Sequence, residues 1–525
     1  MGYLTGAAKR SLFLGGFFIF LGSNPLVAQT FLSQDIKGFV FQGNSLLTSK
    51  ELQSYIAASQ NNHDLEAIQA TLLQAYGEAG YNSVEISLPE DIDGDGIFQI
   101  QIRENTIAQK TIPVTEIAVV GNEHFNEASI RAALPELQED REVDFHVLAQ
   151  QLFLANDNPS RQLTLNISPA ELEQQAAKVE IKVLDRNPQY WQIALDNTGT
   201  EETGNTRLSF ISQNHNLFNR GHLAALSLTL SPEKIDQVAQ IGFFYQVPLP
   251  TWGDTLNFTA SYSDVDSGRI ANFFDVSGQG LATGINWRHN LHRTSQESHS
   301  LEIGFNYRFF DNDINFISAN LGVDVASFPL RVGYGYSFQG VKENVRFAVS
   351  YLHNIPGIFA ANNDSTYNLS RLGAEANWDL WLISGVYQYR WGNGWQLRLQ
   401  GEAQYAGEPL ISGEQLGLGG RYSIRGLQER EVRGDNGLRG TIELYSPSIW
   451  QGHRFLVFSD FGGYAQEDSQ PGEVRGDTIW TTGLGWRWDY GEGLFSAIDV
   501  GYVLSGSSLS QSGDVRVHFL VNYSF

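Results

Sequence analysis

Cysteine is absent from the 525-residue sequence, and two other scarcities narrow the classes of protein that it can encode. Without cysteine there are no disulfides, thiolate metal sites or cysteine nucleophiles, which suits a chain that crosses an oxidising compartment where thiols mispair. Basic residues number 34 against 58 acidic ones, and the net charge of −24 disfavours nucleic acid as a partner, because phosphates would be repelled. Beyond the N-terminus no apolar run reaches the length of a membrane-spanning helix, so the sequence predicts none.

Aromatic residues and glycine are plentiful instead. Aromatic residues make up 12% of the chain and glycine occurs 53 times, while mean hydropathy is −0.24. Many aromatics, much glycine and modest hydropathy together are typical of a transmembrane β-barrel.

The N-terminus has the layout of a secretory signal peptide. Lys9 and Arg10 precede the apolar stretch Leu12–Leu21, and small residues follow up to Ala28. The apolar stretch is too short to span a bilayer, so cleavage after Ala28 is expected. Residues 1–28 are therefore assigned to the signal peptide and residues 29–38 to a short segment before the first domain.

Two segments repeat the same pattern at an offset of 78 residues. Phe39–Ser45 and Ile117–Glu123 each read as a strand that ends in Gly-Asn before a helix starts. Solenoid repeats are shorter, so this offset indicates two whole small domains. The predicted order in each is β-α-α-β-β, an α+β fold, with the first domain at residues 39–108 and the second at residues 109–187.

Helix and strand signals support this order. Thr48 and Glu51 can form a capping box before a first helix, and a second helix is expected from about Asp64. In the second domain the expected helices and strands are Glu127–Leu134, Asp144–Ala155, Gln162–Ile167 and Lys178–Leu184.

One acidic segment begins like a calcium-binding loop. Asp91, Asp93 and Asp95 have the spacing of its first ligands, but Ile102 stands where the bidentate glutamate belongs. A hairpin turn between two strands is predicted instead, and no metal site.

Three histidines, His289, His292 and His299, are the other potential ligands. Alternation would place the first two on opposite faces of a strand, so loop positions are expected for them rather than a metal site. No hydrolase, metalloprotease or phosphate-binding motif occurs, so no catalytic residue, no cofactor and no enzyme activity are predicted.

Residues 188–525 alternate between apolar and polar side chains and show no helical period. The clearest stretches are Leu256–Tyr262, Leu301–Phe309 and Trp395–Tyr405. Charged residues on the second face exclude a sandwich core and favour a barrel that is apolar towards lipid and polar inside. About twenty residues per strand with its connection predict an antiparallel transmembrane β-barrel of about 16 strands. It must be closed, because an open edge would leave backbone groups unpaired in hydrocarbon.

One connection in this region, Leu416–Gly440, is long and rich in glycine and arginine. Loops of this length are uncommon unless they are functional or disordered. The segment has too little serine and proline to suit a linker. A glycine-rich surface loop and a functional loop both remain possible from its composition.

The connection resembles the sixth extracellular loop of the outer-membrane transporter and insertase superfamily that includes the BamA-like proteins. The partner motif, Asp-x-Gly, is matched by Asp460 and Gly462. The resemblance implies that the loop folds back into the lumen and that its arginine meets Asp460, although alternation around Asp460 does not fix the face of its strand. The loop residues that carry the resemblance are Gly419, Gly420, Ser423, Ile424, Arg425, Gly426 and Leu427, of which Ile424 and Leu427 replace the family's valine and aromatic residue.

Other segments resemble TpsB transporters of two-partner secretion. The repeated domains resemble polypeptide-transport-associated (POTRA) domains, and Leu154–Gln162 looks like the linker of the membrane-proximal one. Phe243–Leu249 looks like early barrel strands of that family. The last strand, with Tyr523 and Phe525 on its apolar face, resembles the β-signal that the barrel-assembly machinery reads during biogenesis.

These resemblances imply a protein of a Gram-negative-type outer membrane, in contact with its lipid and with its POTRA domains in the periplasm. It would bind an unfolded, secreted partner protein and export it through the barrel. A BamA-like or TamA-like insertase is the alternative, and a passive porin or an outer-membrane hydrolase is disfavoured because it needs no docking domains. Residues 29–38 are too few for the plug helix and linker of many TpsB proteins, so gating by such a helix is not expected.

Overall fold

The computed structural model divides into two compact units that meet in sequence between Arg186 and Asn187. Residues 1–28, which are predicted to be a signal peptide, residues 29–37 and the aspartates at 91–95 lie outside the described part of the chain. Within that part, no helix is both long enough and apolar enough to span a bilayer. The described residues are 38–44, 47–58, 65–78, 84–87, 97–104, 111–169, 177–201, 203–235, 238–264, 268–270, 274–276, 280–294, 296–311, 315–316, 319–320, 323–450, 452–469, 474–491, 493–507 and 509–525.

The first domain has the predicted order of elements. Its capping box forms, because the Thr48 amide donates to Glu51 Oε2 at 2.8 Å and the Glu51 amide donates to Thr48 Oγ1 at 3.3 Å. The central strand of its sheet pairs parallel with the first strand and antiparallel with the short one. In chain order the elements are Gly38–Gln42, helices Ser49–Ala58 and Leu65–Glu78, and strands Val84–Ile86 and Ile97–Glu104.

The second domain adds one strand to that order. Arg141–Asp144 pairs antiparallel with the start of the first strand of the domain, and Asp144 also caps the second helix by accepting from the amide of His146 at 2.9 Å. Sequence reasoning missed this strand because it is only four residues long. The elements are strand Thr111–Val120, helix Glu127–Ala133, strand Arg141–Asp144, helix Phe145–Asn156, and strands Arg161–Pro169 and Ala177–Asp185.

The Leu154–Gln162 segment lies inside this second domain. It forms the last turn of a helix, a tight turn and the start of a strand, so it connects two elements of one domain rather than two domains. The side chain of Asn156 bonds both the amide and the carbonyl of Leu163, at 2.7 and 3.0 Å. The guanidinium of Arg161 packs 5.2 Å from the centre of the Phe125 ring, which fixes the turn against the domain core.

The second unit is a closed antiparallel barrel of sixteen strands, as predicted. The last strand pairs with the first, from Leu520 opposite Asp196 to Ser524 opposite Gln192, so the sheet has no free edge. The strands are Gln189–Asp196, Arg207–Leu217, His222–Leu230, Ala239–Leu249, Asp254–Ser263, Gly280–Arg293, Glu297–Phe310, Val325–Ser327 continued by Pro329–Gln339, Glu343–Asn354, Asp379–Arg390, Gln396–Ala406, Asn436–Tyr445, His453–Ala465, Gly476–Gly491, Leu494–Ser505 and Val515–Ser524.

The connections differ at the two ends of the barrel. Short turns such as Pro250–Gly253 occupy the end at which the chain enters, called the turn end, and longer connections occupy the other, the loop end. In membrane barrels of this kind the short turns are periplasmic and the long loops extracellular. The loop end carries the helix Asp364–Ser370, a 3₁₀ turn at Ser412–Glu414, and the short strand pairs Gly268–Ile270 with Phe274–Val276, Asn315–Phe316 with Ala319–Asn320, and Leu416–Leu418 with Val432–Gly434.

The prediction that His289 and His292 occupy loops is wrong. Both lie in the strand Gly280–Arg293, where a β-bulge between Asn290 and His292 interrupts the alternation on which the prediction depended. His289 Nδ1 lies 2.8 Å from Asp254 Oδ1, on the neighbouring strand. Among the residues that the structure describes, no group of side chains has the arrangement of a metal site.

Candidate functional site

The connection between the strands Gln396–Ala406 and Asn436–Tyr445 folds as a hairpin whose tip lies inside the barrel. Leu416–Leu418 and Val432–Gly434 pair to form its stem. Leu418, Ile424 and Leu427 at and beside the tip are fully buried, and they pack against Ile479 and Val503 of the barrel wall. Leu427 therefore fills a buried site although it is not aromatic.

Three glycines give the tip its shape. Gly419, Gly420 and Gly426 have φ angles of +116°, +94° and +108°, which residues with a side chain rarely adopt. A β-carbon on Gly419 would also stand 2.3 Å from the carbonyl oxygen of Gln428. Gly462 lies on the barrel strand His453–Ala465, opposite the tip. A β-carbon there would stand 2.5 Å from the side chain of Ile424, so the absence of a side chain at Gly462 leaves room for the tip.

Arg425, at the tip, is held by Asp460 of the strand His453–Ala465. Its Nη2 and Nε atoms donate to the two carboxylate oxygens at 2.7 and 2.8 Å, and its backbone amide donates to Oδ2 at 2.9 Å. The guanidinium carbon also lies 3.5 Å from the centre of the Phe458 ring. Asp460 faces the lumen, because Leu456 and Phe458 on its face are buried while Phe455 and Val457 on the other face are exposed.

Two further carboxylates complete the surroundings of Arg425. Its Nη1 donates to Glu443 Oε1 at 2.7 Å and lies 3.6 Å from Asp499 Oδ1. Glu443 also accepts from Arg398 at 2.9 Å, and Asp499 accepts from Arg487 at 3.0 Å. Three arginines thus face three carboxylates, and the network, here called the Arg425 clamp, is neutral overall.

The centre of the clamp, Arg425 with its three carboxylates, is almost entirely removed from solvent. Arg425 and the three carboxylates each expose 5% or less of their side chains. Charges buried to this degree are tolerated only when they are paired and hydrogen-bonded, and removal of one partner costs roughly 3–5 kcal/mol. A planar guanidinium can bond two oxygens in parallel, which the ammonium of lysine cannot copy. The geometry therefore fixes both the position of the tip and the residue type at 425.

Residues of the last two strands also touch the tip, and sequence reasoning missed them. Gly426 donates its amide towards Nε2 of His518 at 3.4 Å. A β-carbon on Gly501 would stand 2.7 Å from the amide nitrogen of Gly426 and 2.8 Å from the carbonyl carbon of Arg425. Sequence reasoning also missed Glu443 and Asp499. Alternation shows which residues face inward, but it does not show which distant strands meet at the hairpin tip.

The C-terminal pair Tyr523 and Phe525 lies away from the clamp, on the outer surface. Their rings stack at 5.6 Å, and Phe525 packs against Trp191 of the first strand at 5.7 Å. The backbones of Phe525 and Trp191 exchange two hydrogen bonds of 2.9 and 3.0 Å. These residues close the seam between the first and last strands.

At the loop end, the hairpin is tied to neighbouring loops. Glu431 accepts from the Ser510 hydroxyl at 2.6 Å, in the connection before the last strand. Asp435 is fully buried and binds Arg371 of the connection 355–378 through both carboxylate oxygens. It also accepts from the amide of Glu467 at 2.8 Å, in the connection 466–475. This Arg371–Asp435 tie joins three long connections.

Comparison with known proteins shows the family to which the chain belongs. The profile of the haemolysin secretion/activation protein family ShlB/FhaC/HecB matches residues 175–488, well over half of the sequence. The chain belongs to this family. An outer membrane transporter CdiB of Dickeya dadantii (strain 3937) is 24% identical over 543 aligned residues, which cover 96% of this chain and 88% of that protein.

Solved structures of two outer-membrane proteins, a CdiB and a BamA, align with most of this chain. CdiB from Escherichia coli aligns with a TM-score of 0.65 at 18% identity, over 96% of this chain and 93% of that one. BamA from Haemophilus ducreyi, lacking POTRA domains 1–3, aligns with a TM-score of 0.51 at 13% identity, over 94% and 99%. This chain thus shares its architecture with both proteins, and the TM-score is higher for CdiB than for BamA.

Proposed function

We propose that the protein exports an unfolded partner protein across the outer membrane, as a two-partner secretion transporter. The match to the haemolysin secretion/activation family over residues 175–488 carries this proposal. It is an outer-membrane β-barrel protein, and its wide barrel can enclose an aqueous path. Residues 39–108 and 109–187 serve as periplasmic POTRA domains that receive the partner. Each small sheet offers an edge to which an extended chain can add a strand through main-chain hydrogen bonds.

The Arg425 clamp holds the hairpin in the position that transport requires. With Gly419, Gly420, Gly426 and Gly462, Arg425 and Asp460 form the transport motif in this proposal. The buried, fully paired geometry supports it, because so costly an arrangement of charges specifies one position of the tip. Tyr523 and Phe525 act earlier, during insertion by the barrel-assembly machinery.

A deletion strain tests the proposal. Loss of the protein should remove one secreted protein from the medium or the cell surface, and a plasmid copy should restore it. Restoration by a copy that lacks residues 39–108 yet assembles normally would contradict the receptor role of the first domain.

The same strain separates export from insertion. An insertase would lower the amounts of several other barrels in the outer membrane, whereas an exporter would leave them unchanged. The likeness to BamA concerns the fold alone and gives the insertase no separate support.

A further inference from the structure

One sector of the inner wall carries a concentration of positive charge near the turn end of the barrel. Five arginines stand on inward positions of five strands that lie between Glu343–Asn354 and Gly476–Gly491, and they are called here the turn-end arginine patch. They are Arg346, Arg390, Arg398, Arg454 and Arg487.

Alternation places these side chains in the lumen. Phe347, beside Arg346, and Phe455, beside Arg454, are among the exposed apolar residues of the outer surface. Gln388, two residues before Arg390, is buried on the inner face. The patch therefore lines the path through the barrel and does not face lipid.

The register brings the patch residues together. Arg398 lies opposite Gln388, and Arg390 lies opposite Gln396, whose side chain accepts from Arg454 at 3.4 Å. Arg454 and Arg487 are directly opposite each other on adjacent strands. Like charges in that relation destabilise a sheet, so stability does not explain the arrangement.

Negative charge in the same sector is smaller. Glu443 and Asp489 are the inward carboxylates at this level of the described strands of the sector, and Asp499 lies on the next strand. Glu443 and Asp499 bind Arg398 and Arg487 of the patch as well as Arg425, so these carboxylates are still fewer than the arginines that they face. The sector is positive in a chain whose net charge is −24. Low-dielectric walls focus such a field into the lumen.

We infer that the turn-end arginine patch binds carboxylate side chains of the polypeptide that enters the barrel. This inference rests on the proposed function. Half-buried guanidinium groups held by strands lose little freedom on pairing, and their planar shape matches a carboxylate. Several weak sites along a wall let a chain enter without being trapped, as in other selective pores.

The absence of native cysteine permits a direct test. Asn344→Cys places a thiol two residues from Arg346 on the same face, opposite Gln388. Its modification rate is measured with an anionic and a cationic methanethiosulfonate reagent on the full-length protein in vesicles. The anionic reagent should react faster, and R346Q/R390Q/R454Q should lower the anionic-to-cationic rate ratio by about tenfold.

Two controls isolate charge from structure. R346K/R390K/R454K keeps the charge and should keep the ratio, and heat-modifiable mobility reports assembly of every variant. Leu382→Cys, inward on the same strand as Arg390, is eight positions from Arg390 and four positions from Val386, the residue opposite Arg346, so it lies roughly 14 Å or more along the wall from either arginine. That exceeds the Debye length of about 10 Å, so the ratio there should change little. An unchanged ratio for Asn344→Cys in the glutamine background would overturn the inference.

Binding is tested with a ten-residue polyglutamate peptide as the probe. It should slow modification of Asn344→Cys severalfold in the wild-type background and not in R346Q/R390Q/R454Q, while polylysine should have no effect. Failure of polyglutamate to protect the thiol contradicts the inference whether or not a partner is exported. Protection in a protein that exports no partner would instead contradict the proposed function alone.

Discussion

Arg425 and Asp460 are the residues on which the position of the hairpin tip most depends. Arg425→Ala leaves the buried Asp460 without an arginine and removes one partner each from Glu443 and Asp499, and Arg425→Lys keeps the charge but loses the parallel hydrogen bonds. Asp460→Ala leaves Arg425 with Glu443 and Asp499 only. We expect each change to leave the barrel inserted and to reduce secretion of the partner at least tenfold, measured by immunoblot of medium and membranes.

The double change separates a coupled pair from two independent residues. Arg425→Ala/Asp460→Ala should secrete about as little as either single variant, because residues that act together are not additive. Arg475→Ala, an exposed arginine at the loop end, is the matched control and should secrete normally. Normal secretion by Arg425→Ala, or strictly additive losses, would show that the pair does not act as proposed.

The sequence indicated this pair through its motifs but not the rest of the clamp. Arg425 and Asp460 each belong to a short recognisable segment, so resemblance could suggest their contact. Glu443 and Asp499 sit in ordinary alternating strands without a motif. Their contact with the tip depends on the register of the barrel and the depth of the hairpin, which no local pattern encodes.

At the scale of elements, close packing of the hairpin tip against the last strands sets a strict limit on residue size. Gly501→Ala would press a methyl group against backbone atoms of Arg425 and Gly426 that cannot move aside. We expect secretion to fall as far as in Arg425→Ala, with the barrel still heat-modifiable. Gly463→Ala is the control, because its β-carbon would meet only ordinary contacts of 3.5 Å or more. Equal secretion by the two alanine variants would show that the tip does not occupy this position.

The Arg371–Asp435 tie makes a second element-scale prediction. Asp435→Ala leaves Arg371 without its buried carboxylate and frees three connections at the loop end. Intact cells treated with trypsin should show faster cleavage in the connections 355–378 and 466–475 than wild-type cells. Cleavage at the wild-type rate would mean that the buried apolar residues around Tyr367 and Trp378 hold these loops without the tie.

Element prediction from the sequence succeeded where a pattern was long and regular. The barrel strands and the first domain follow their alternation and capping signals closely. The prediction failed at His292, where a bulge shifts the register, and at Arg141–Asp144, where four residues form a strand only because a longer neighbour pairs with them. Both depend on tertiary pairing rather than on local preference.

For the whole molecule, we predict that residues 1–28 are removed as a signal peptide during export. The mature protein should start near Gln29, fractionate with outer membranes and migrate differently with and without heating, because closed barrels resist unfolding. N-terminal sequencing of the membrane-embedded product checks this. Recovery of Met1 from that product would contradict the assigned signal peptide.

Transport by the purified protein tests the central claim most directly. The secreted protein that the deletion strain loses is unfolded and added to vesicles that contain this chain alone, and its protection from external protease is measured. The account predicts protected partner with the wild-type protein and with Arg475→Ala, and at least tenfold less with Arg425→Ala. Equal protection with Arg425→Ala, or none with the wild-type protein, would contradict it.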